Sequence, residues 1–78
     1  VIRDEEVEEL LYDISKPIFK AAGLDNYGIK IFLIDSKEIN AYVINGQNIF
    51  VYLGLLSNID SIDVLAGIIA HECGHIIG

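Results

Sequence analysis

The spacing of apolar residues along this chain changes from a helical period to a strand period and back again. Between Asp4 and Ala22 apolar residues fall at i, i+3, i+4 and i+7, which predicts an amphipathic helix. Gly23 is suited to the C′ position after that helix, and Pro17 predicts either a kink or two shorter helices that meet there. We expect this helix to be scaffold that covers a sheet.

Three short apolar runs in the middle of the chain predict β-strands. They lie at Ile29–Ile34, Ala41–Ile44 and Ile49–Leu53. A polar turn at Asp35–Glu38 follows the first strand, and a loop at Gly54–Ile59 follows the third.

The second and third strands form a predicted hairpin, because Asn45-Gly46 is a strong turn signal. A two-residue loop would set Val43 opposite Asn48. A four-residue loop would set Val43 opposite Phe50, which pairs apolar residues better. The residue pattern leaves these two registers open.

A second helical period runs from Ile62 to Ile77, after Asp60 and Ser61 as N-cap candidates and with Asp63 as a negative charge in the first turn. The order of elements is therefore helix, three strands, helix. Since two of the strands form a hairpin, we expect an antiparallel sheet and the α+β class.

The last predicted helix contains His71-Glu72-Cys73-Gly74-His75, an HExxH motif. On a helix the two histidines lie one turn apart on one face, a spacing that suits two corners of a zinc tetrahedron. Glu72 lies about 100° further round the helix, too far to join them easily as a third ligand. It can reach a water bound to the metal and act as general base. Cys73 points away from both histidines, which favours a packed thiol.

The faces of this helix indicate a cleft on the histidine side. At about 100° per residue, the histidines lie opposite the main apolar stripe, as ligands that point into a cleft would. That stripe comprises Ile62, Leu65, Ile69, Cys73 and Ile76. Gly67, Gly74 and Gly78 line the histidine side, which suggests that another backbone or a substrate approaches closely there. Val64 and Ile68 make the helix apolar nearly all round, so we expect covering structure outside this chain.

Length and composition limit the classes of function. Seventy-eight residues, of which 53% are hydrophobic, suffice for one small domain. The chain has no methionine and stops at Gly78 after the HExxH helix, so we expect residues 1–78 to be the N-terminal part of a longer catalytic domain. The net charge of −7 argues against nucleic acid as a partner. No apolar run approaches the ~20 residues that span a bilayer.

Three segments resemble a known group of enzymes, the gluzincin type of zincin metallopeptidases. They are Asn40-Ala41-Tyr42, the strand and turn at 48–56, and the helix from Leu65 to His75. Within that group the likeness is to the family that contains the heat-shock protease HtpX, the CaaX-prenyl endopeptidase and the envelope protease BepA. The helix is the specific part of this resemblance, which covers roughly residues 39–78.

The resemblance implies a zincin-like fold and a zinc-dependent endopeptidase that hydrolyses peptide bonds with a zinc-activated water. It implies His71 and His75 as zinc ligands and Glu72 as the catalytic base. It also implies that Asn40 and Ala41 lie on an edge strand beside the cleft, where a peptide or protein substrate binds through backbone hydrogen bonds. By its turn preference alone, Asn40 is equally suited to closing the preceding turn.

One feature of that family is missing from this sequence. Its third zinc ligand is a glutamate on a later helix, and no carboxylate follows the motif here. Because a catalytic zinc site needs three protein ligands and an open position, we expect residues 1–78 alone to bind zinc weakly, if at all, and to be inactive. The family occurs in membranes and in the bacterial envelope, which implies an envelope location for the intact parent.

Two alternatives to the peptidase interpretation remain open. In the first, the chain is a non-catalytic packing module, a pseudo-protease whose HExxH binds no metal. In the second, two chains each contribute His71 and His75 to a shared zinc site. The uncovered apolar face of the helix favours a homodimer even without metal.

Overall fold

The computed structural model of this chain describes residues 2–77. Its elements are α1 at Glu5–Ala21, β1 at Lys30–Ile34, β2 at Ala41–Ile44, β3 at Asn48–Tyr52, α2 at Leu53–Asn58 and α3 at Ile62–Ile77. The strands form one sheet, and α1 and α3 pack together on one of its faces. The predicted α+β class is confirmed.

The first helix begins and ends where the sequence indicates. Val7 N–H donates to the Asp4 carboxylate at 3.2 Å, and Gly23 after the helix has a φ of +74°. The helix runs without a break through Pro17, so the expectation of two shorter helices is wrong. Pro17 and Asp13, whose carbonyl loses its helical partner, are both exposed, and water can solvate that carbonyl.

The sheet is mixed, and the expectation of an antiparallel sheet is wrong for one of its two pairings. The strand order is β1-β3-β2, with β2 antiparallel and β1 parallel to β3. The reason lies in burial. Alternate residues of β1 and β3 are fully buried, so these two strands pair over the core, whereas β2 has no buried residue and takes an edge.

The hairpin adopts neither of the two predicted registers. Asn45 and Gly46 have φ values of +58° and +69°, and Gln47 follows them as an extra residue before β3 begins. Gln47 N–H donates to the Ile44 carbonyl at 3.4 Å, and its own carbonyl accepts from Lys30 N–H at 2.8 Å. The extra residue therefore serves the pairing with β1. The observed pairs are Val43 with Ile49 and Ile44 with Asn48.

A short helix, α2, occupies the segment that was expected to be a loop. Gly54 N–H donates to the Ser36 carbonyl at 2.8 Å, and Leu55 is buried in the core. The Ser57 and Asn58 side chains donate to carbonyls one turn earlier, at 3.0 and 2.6 Å. These contacts fix the chain between β3 and α3.

The core lies between the helices and the inner face of the sheet. Its buried apolar residues are Leu11, Phe19, Leu24, Ile29, Ile31, Leu33, Ile49, Val51, Leu55, Leu65, Ile69 and Cys73. Ile29, Ile31 and Leu33, alternate residues of the first predicted strand, all lie in this core, as the strand period predicts. Among residues 2–77, no helix combines the length and the apolar character needed to cross a membrane.

Candidate metal centre

Helix α3 is rotated so that its histidines face away from the core. Ser61 caps it: Val64 N–H donates to the Ser61 hydroxyl at 3.3 Å. Leu65 and Ile69 are buried beneath it, while Ile62 in its first turn stays 60% exposed. The predicted apolar stripe is therefore confirmed from Leu65 onward, and it turns the opposite face outward.

His71 and His75 meet on that outward face. Their Nε2 atoms lie 3.3 Å apart, and their rings stand edge to face with centroids 4.8 Å apart. A tetrahedral zinc ion with Zn–N bonds of about 2.0–2.1 Å requires an N···N separation of about 3.3–3.4 Å. The pair matches one edge of such a tetrahedron, whereas 3.3 Å is long for a hydrogen bond.

Glu72 lies beside the histidines on the buried side of the helix. The residue as a whole is only 7% exposed, and its carboxylate forms no hydrogen bond or ion pair with another group of residues 2–77. One carboxylate oxygen and the two histidine nitrogens lie within 4.8 Å of one another. No buried side-chain oxygen lacks a partner among the described residues, so the Glu72 carboxylate reaches solvent on the histidine side of the helix, where water can hydrogen-bond to it.

Cys73 does not belong to the cluster. It is 2% exposed within the core, which confirms the expectation of a packed thiol. Burial raises the pKa of the Cys73 thiol, and the charge of Glu72 raises it further. A metal ligand must be the thiolate, and this environment disfavours that form.

The glycines beside the histidines leave open space. A Cβ built on Gly67 or on Gly74 would meet nothing within 4 Å. The close approach of another backbone that these glycines suggest has no counterpart within residues 2–77, and Gly78 lies outside the described residues. Val64, on the same side, is 49% exposed.

Asn40 and Ala41 lie at the start of the edge strand β2, which packs near α3. The Asn40 carbonyl accepts from Tyr52 N–H at 3.1 Å, and its side-chain oxygen accepts from Ala41 N–H at 2.9 Å. Asn40 thus joins the edge strand through its carbonyl, and its side chain bonds to the residue that follows it and not to the preceding turn. Their part in substrate binding stays a prediction.

The two edges of the sheet differ. The resemblance implies an edge strand at Asn40 and Ala41, but the sequence does not indicate that the opposite edge is covered. The outer edge of β1 is covered, because Ile2 N–H donates to Leu33 at 3.0 Å and Ile31 N–H donates to the Tyr12 hydroxyl at 2.9 Å. The outer edge of β2 has the Asn40 side chain as its one partner within residues 2–77. Strand β2 is therefore the open edge.

The register shows which backbone groups face that open edge. Alternate residues of an antiparallel strand point their N–H and C=O groups to opposite sides. Since the Asn40 carbonyl bonds to β3, Tyr42 and Ile44 also face β3. Ala41 and Val43 therefore direct their backbone groups outward.

The sequence of this chain is similar to those of known peptidases. Residues 2–78 match the profile of peptidase family M48. The mitochondrial metalloendopeptidase OMA1 of Bos taurus is 33% identical over 55 residues, which cover 70% of this chain and 10% of that protein. The chain thus spans about a tenth of the length of this curated relative. No solved structure matches it. The chain belongs to peptidase family M48, a metallopeptidase family.

Proposed function

We propose that this member of peptidase family M48 is part of the catalytic domain of a zinc-dependent endopeptidase. In this proposal His71 and His75 hold zinc and Glu72 is the general base. The observation that carries it is the histidine pair, with Nε2 atoms 3.3 Å apart, beside a carboxylate oxygen of Glu72. The family match and the metalloendopeptidase relative support peptide-bond hydrolysis as the reaction.

The donor set fits zinc, since imidazole nitrogens are common zinc ligands and the separation of this pair matches the tetrahedral edge. When bound, zinc supplies a Lewis acid that lowers the pKa of a water and polarises a carbonyl. A catalytic zinc site takes three protein ligands. No further histidine, cysteine, aspartate or glutamate joins the cluster within residues 2–77. We therefore place the third ligand outside these residues and expect residues 1–78 alone to be inactive.

In this proposal Glu72 moves protons between the attacking water and the leaving amine. One of its carboxylate oxygens lies within 4.8 Å of the two histidine nitrogens, and the carboxylate has no hydrogen-bond partner within the described residues. It accepts a proton from the attacking water and delivers one to the leaving amine. General-base catalysis of this kind contributes about 10²–10⁴-fold to a rate.

The open edge of β2 supports Asn40 and Ala41 as substrate-binding residues. An extended peptide adds to an exposed strand through backbone hydrogen bonds. The outward N–H and C=O of Val43 and the C=O of Ala41 are available for such bonds, whereas the Ala41 N–H donates to the Asn40 side chain and the edge of β1 is covered. A peptide or protein substrate would lie along β2, beside α3.

A glutamine substitution at Glu72 tests the catalytic proposal in the full-length protein. We expect Glu72→Gln to lower peptide hydrolysis at least about 100-fold and to leave zinc content unchanged, because the loss is confined to the base. Glu9→Gln, at an exposed site on α1, is the matched control and should keep full activity. Loss of zinc in Glu72→Gln, or retained activity, would contradict the role of Glu72.

Zinc titration tests the third ligand. We expect tight binding of one ion by a chain extended past Gly78, and weak binding or none by residues 1–78. Equal affinity in both chains would place every ligand within residues 1–78. Absence of binding in both would remove the enzyme proposal.

The exposed apolar residues of α3 support a second candidate, a non-catalytic packing or dimerisation module. Ile62, Val64 and Ile77 are 60%, 49% and 63% exposed. Surfaces of this kind associate, and two copies of the histidine pair would complete a four-histidine zinc site. Half a zinc ion per chain, bound together with dimerisation, would favour this candidate over the enzyme.

The position of this chain within the family is a narrower proposal. The Asn40-Ala41-Tyr42 segment and the HExxH helix support a place in the group of HtpX, the CaaX-prenyl endopeptidase and BepA. An envelope location is part of the same proposal, and localising the full-length protein in cells tests it.

A further inference from the structure

A row of stacked aromatic rings crosses the outer face of the sheet and ends at its open edge. Phe32, Phe50 and Tyr42 lie opposite one another on β1, β3 and β2. Their ring centroids are 5.2 and 5.1 Å apart, and Tyr52 packs against Tyr42 at 5.8 Å. All four rings are partly exposed. Tyr42 is the ring nearest the open edge.

The register predicts a close side-chain contact between Tyr42 and any strand that is added at the open edge of β2. The N–H and C=O groups of Tyr42 face β3, so an antiparallel strand added to β2 would meet Tyr42 as a non-hydrogen-bonded pair. In such pairs the Cα atoms are about 4.5 Å apart and the side chains are closest. The side chain opposite Tyr42 would therefore extend the row of rings.

On the added strand, the two residues that flank the one opposite Tyr42 would direct their side chains to the opposite face of the sheet. Ala41 and Val43 pack against the core on the helix side of the sheet. Side chains opposite them would face that side, where α3 carries the histidines. One side chain of an added peptide would thus contact the aromatic row, and the side chains on either side of it would approach the HExxH helix.

We infer that Tyr42 is a specificity-determining residue, and that the peptide bound along β2 presents an aromatic side chain to it. This inference rests on the proposed function. Aromatic pairs add to a binding constant by about 2- to 10-fold beyond their buried area. The row of Phe32, Phe50 and Tyr42 already has the ring spacing that such pairs prefer.

A positional scan of peptide substrates with the full-length protein tests this inference. Each peptide of the scan carries a tyrosine or a serine at one position, and KM and kcat are measured separately. We expect tyrosine to be preferred by about 2- to 10-fold at one position, chiefly through KM, because the contact stabilises bound substrate. We expect Tyr42→Ala to abolish that preference and Tyr42→Phe to keep it.

Matched variants separate specificity from folding. Tyr27 is 54% exposed and lies outside the aromatic row, so Tyr27→Ala should keep the preference. Tyr42→Phe keeps the ring and serves as the folding control for Tyr42→Ala. A preference that survives Tyr42→Ala, or cleavage with no preference at any position, would overturn this inference and leave the proposed function standing. Failure to cleave any peptide would overturn both.

Discussion

At the scale of single residues, burial separates the roles of neighbours on α3. His71 and His75 are exposed, whereas Glu72 and Cys73 are buried one and two positions away. The helical period predicts that His71 and His75 are exposed and that Cys73 is buried. It does not predict the burial of Glu72, because a carboxylate on the border of an apolar stripe can turn toward solvent or toward the cleft. Only the packing of α3 on the core decides between them.

An alanine substitution at Cys73 tests whether its thiol packs in the core and takes no part in metal binding. We expect Cys73→Ala to lower the free energy of unfolding by about 1 kcal/mol, because it leaves a small cavity in the core. Zinc affinity should not change, since the thiol lies in the core and its raised pKa disfavours the thiolate. Zinc titration and chemical denaturation measure the two effects. A fall in zinc affinity as large as that of His75→Ala would show that the thiol is a ligand.

Gly54 is the glycine whose replacement the fold tolerates least among those described. A Cβ there would collide with the backbone carbonyls of Lys37 and Glu38, which cannot rotate away as a side chain would. We expect Gly54→Ala to destabilise the protein by about 1–3 kcal/mol, as overpacked sites do. Gly67→Ala is the control, because open space surrounds that position. In residues 1–78 it should be neutral or stabilise by up to about 1 kcal/mol through helix propensity.

At the scale of elements, the start of α1 is held by a small charged network. Glu8 accepts from Asp4 N–H at 3.0 Å and from the Arg3 guanidinium at 3.0 Å. The hydrogen bond from Arg3, and then that from the Asp4 backbone, lower the pKa of Glu8. The network contributes stability above the pKa of an unfolded glutamate, and this contribution is lost as the pH falls through the lower folded pKa.

This network predicts a pH-dependent effect of Glu8→Gln. We expect the variant to melt below the native protein at neutral pH, and the difference to vanish at acid pH, where Glu8 is protonated in both states. Thermal unfolding of both proteins across this pH range measures the difference. Glu9→Gln, on the exposed side of the same helix, should show little difference at any pH. A difference for Glu8→Gln that does not change with pH would indicate a packing effect instead.

The elements themselves were predictable where local signals were complete. The cap at Asp4, Gly23 after α1 and Ser61 before α3 each stand at the predicted ends. Helix α2 was not predicted because it spans only six residues and has no side-chain cap. The hairpin register was not predicted because the Gln47 carbonyl accepts a hydrogen bond from β1, a partner that the local sequence does not reveal.

At the scale of the whole molecule, the strand order gives the sheet one covered edge and one open edge. Parallel pairing of β1 with β3 depends on which strands bury alternate residues, and the hairpin signal alone does not contain that information. Exposed edges invite pairing with another chain, and proteins usually protect them. An edge left open beside the HExxH helix is therefore suited to binding an extended peptide.

Proline at position 43 tests this use of the open edge. The Val43 N–H points outward, so Val43→Pro removes a donor from the edge without breaking a bond to β3, and proline is tolerated on edge strands. We expect the full-length variant to keep its fold by circular dichroism and its zinc. Peptide hydrolysis should fall at least about 10-fold, because one lost hydrogen bond weakens binding by about 0.5–1.5 kcal/mol and the ring also obstructs the added strand. Cleavage at the native rate by Val43→Pro would mean that substrate does not pair with β2, and the zinc site would then have to be reached from another side.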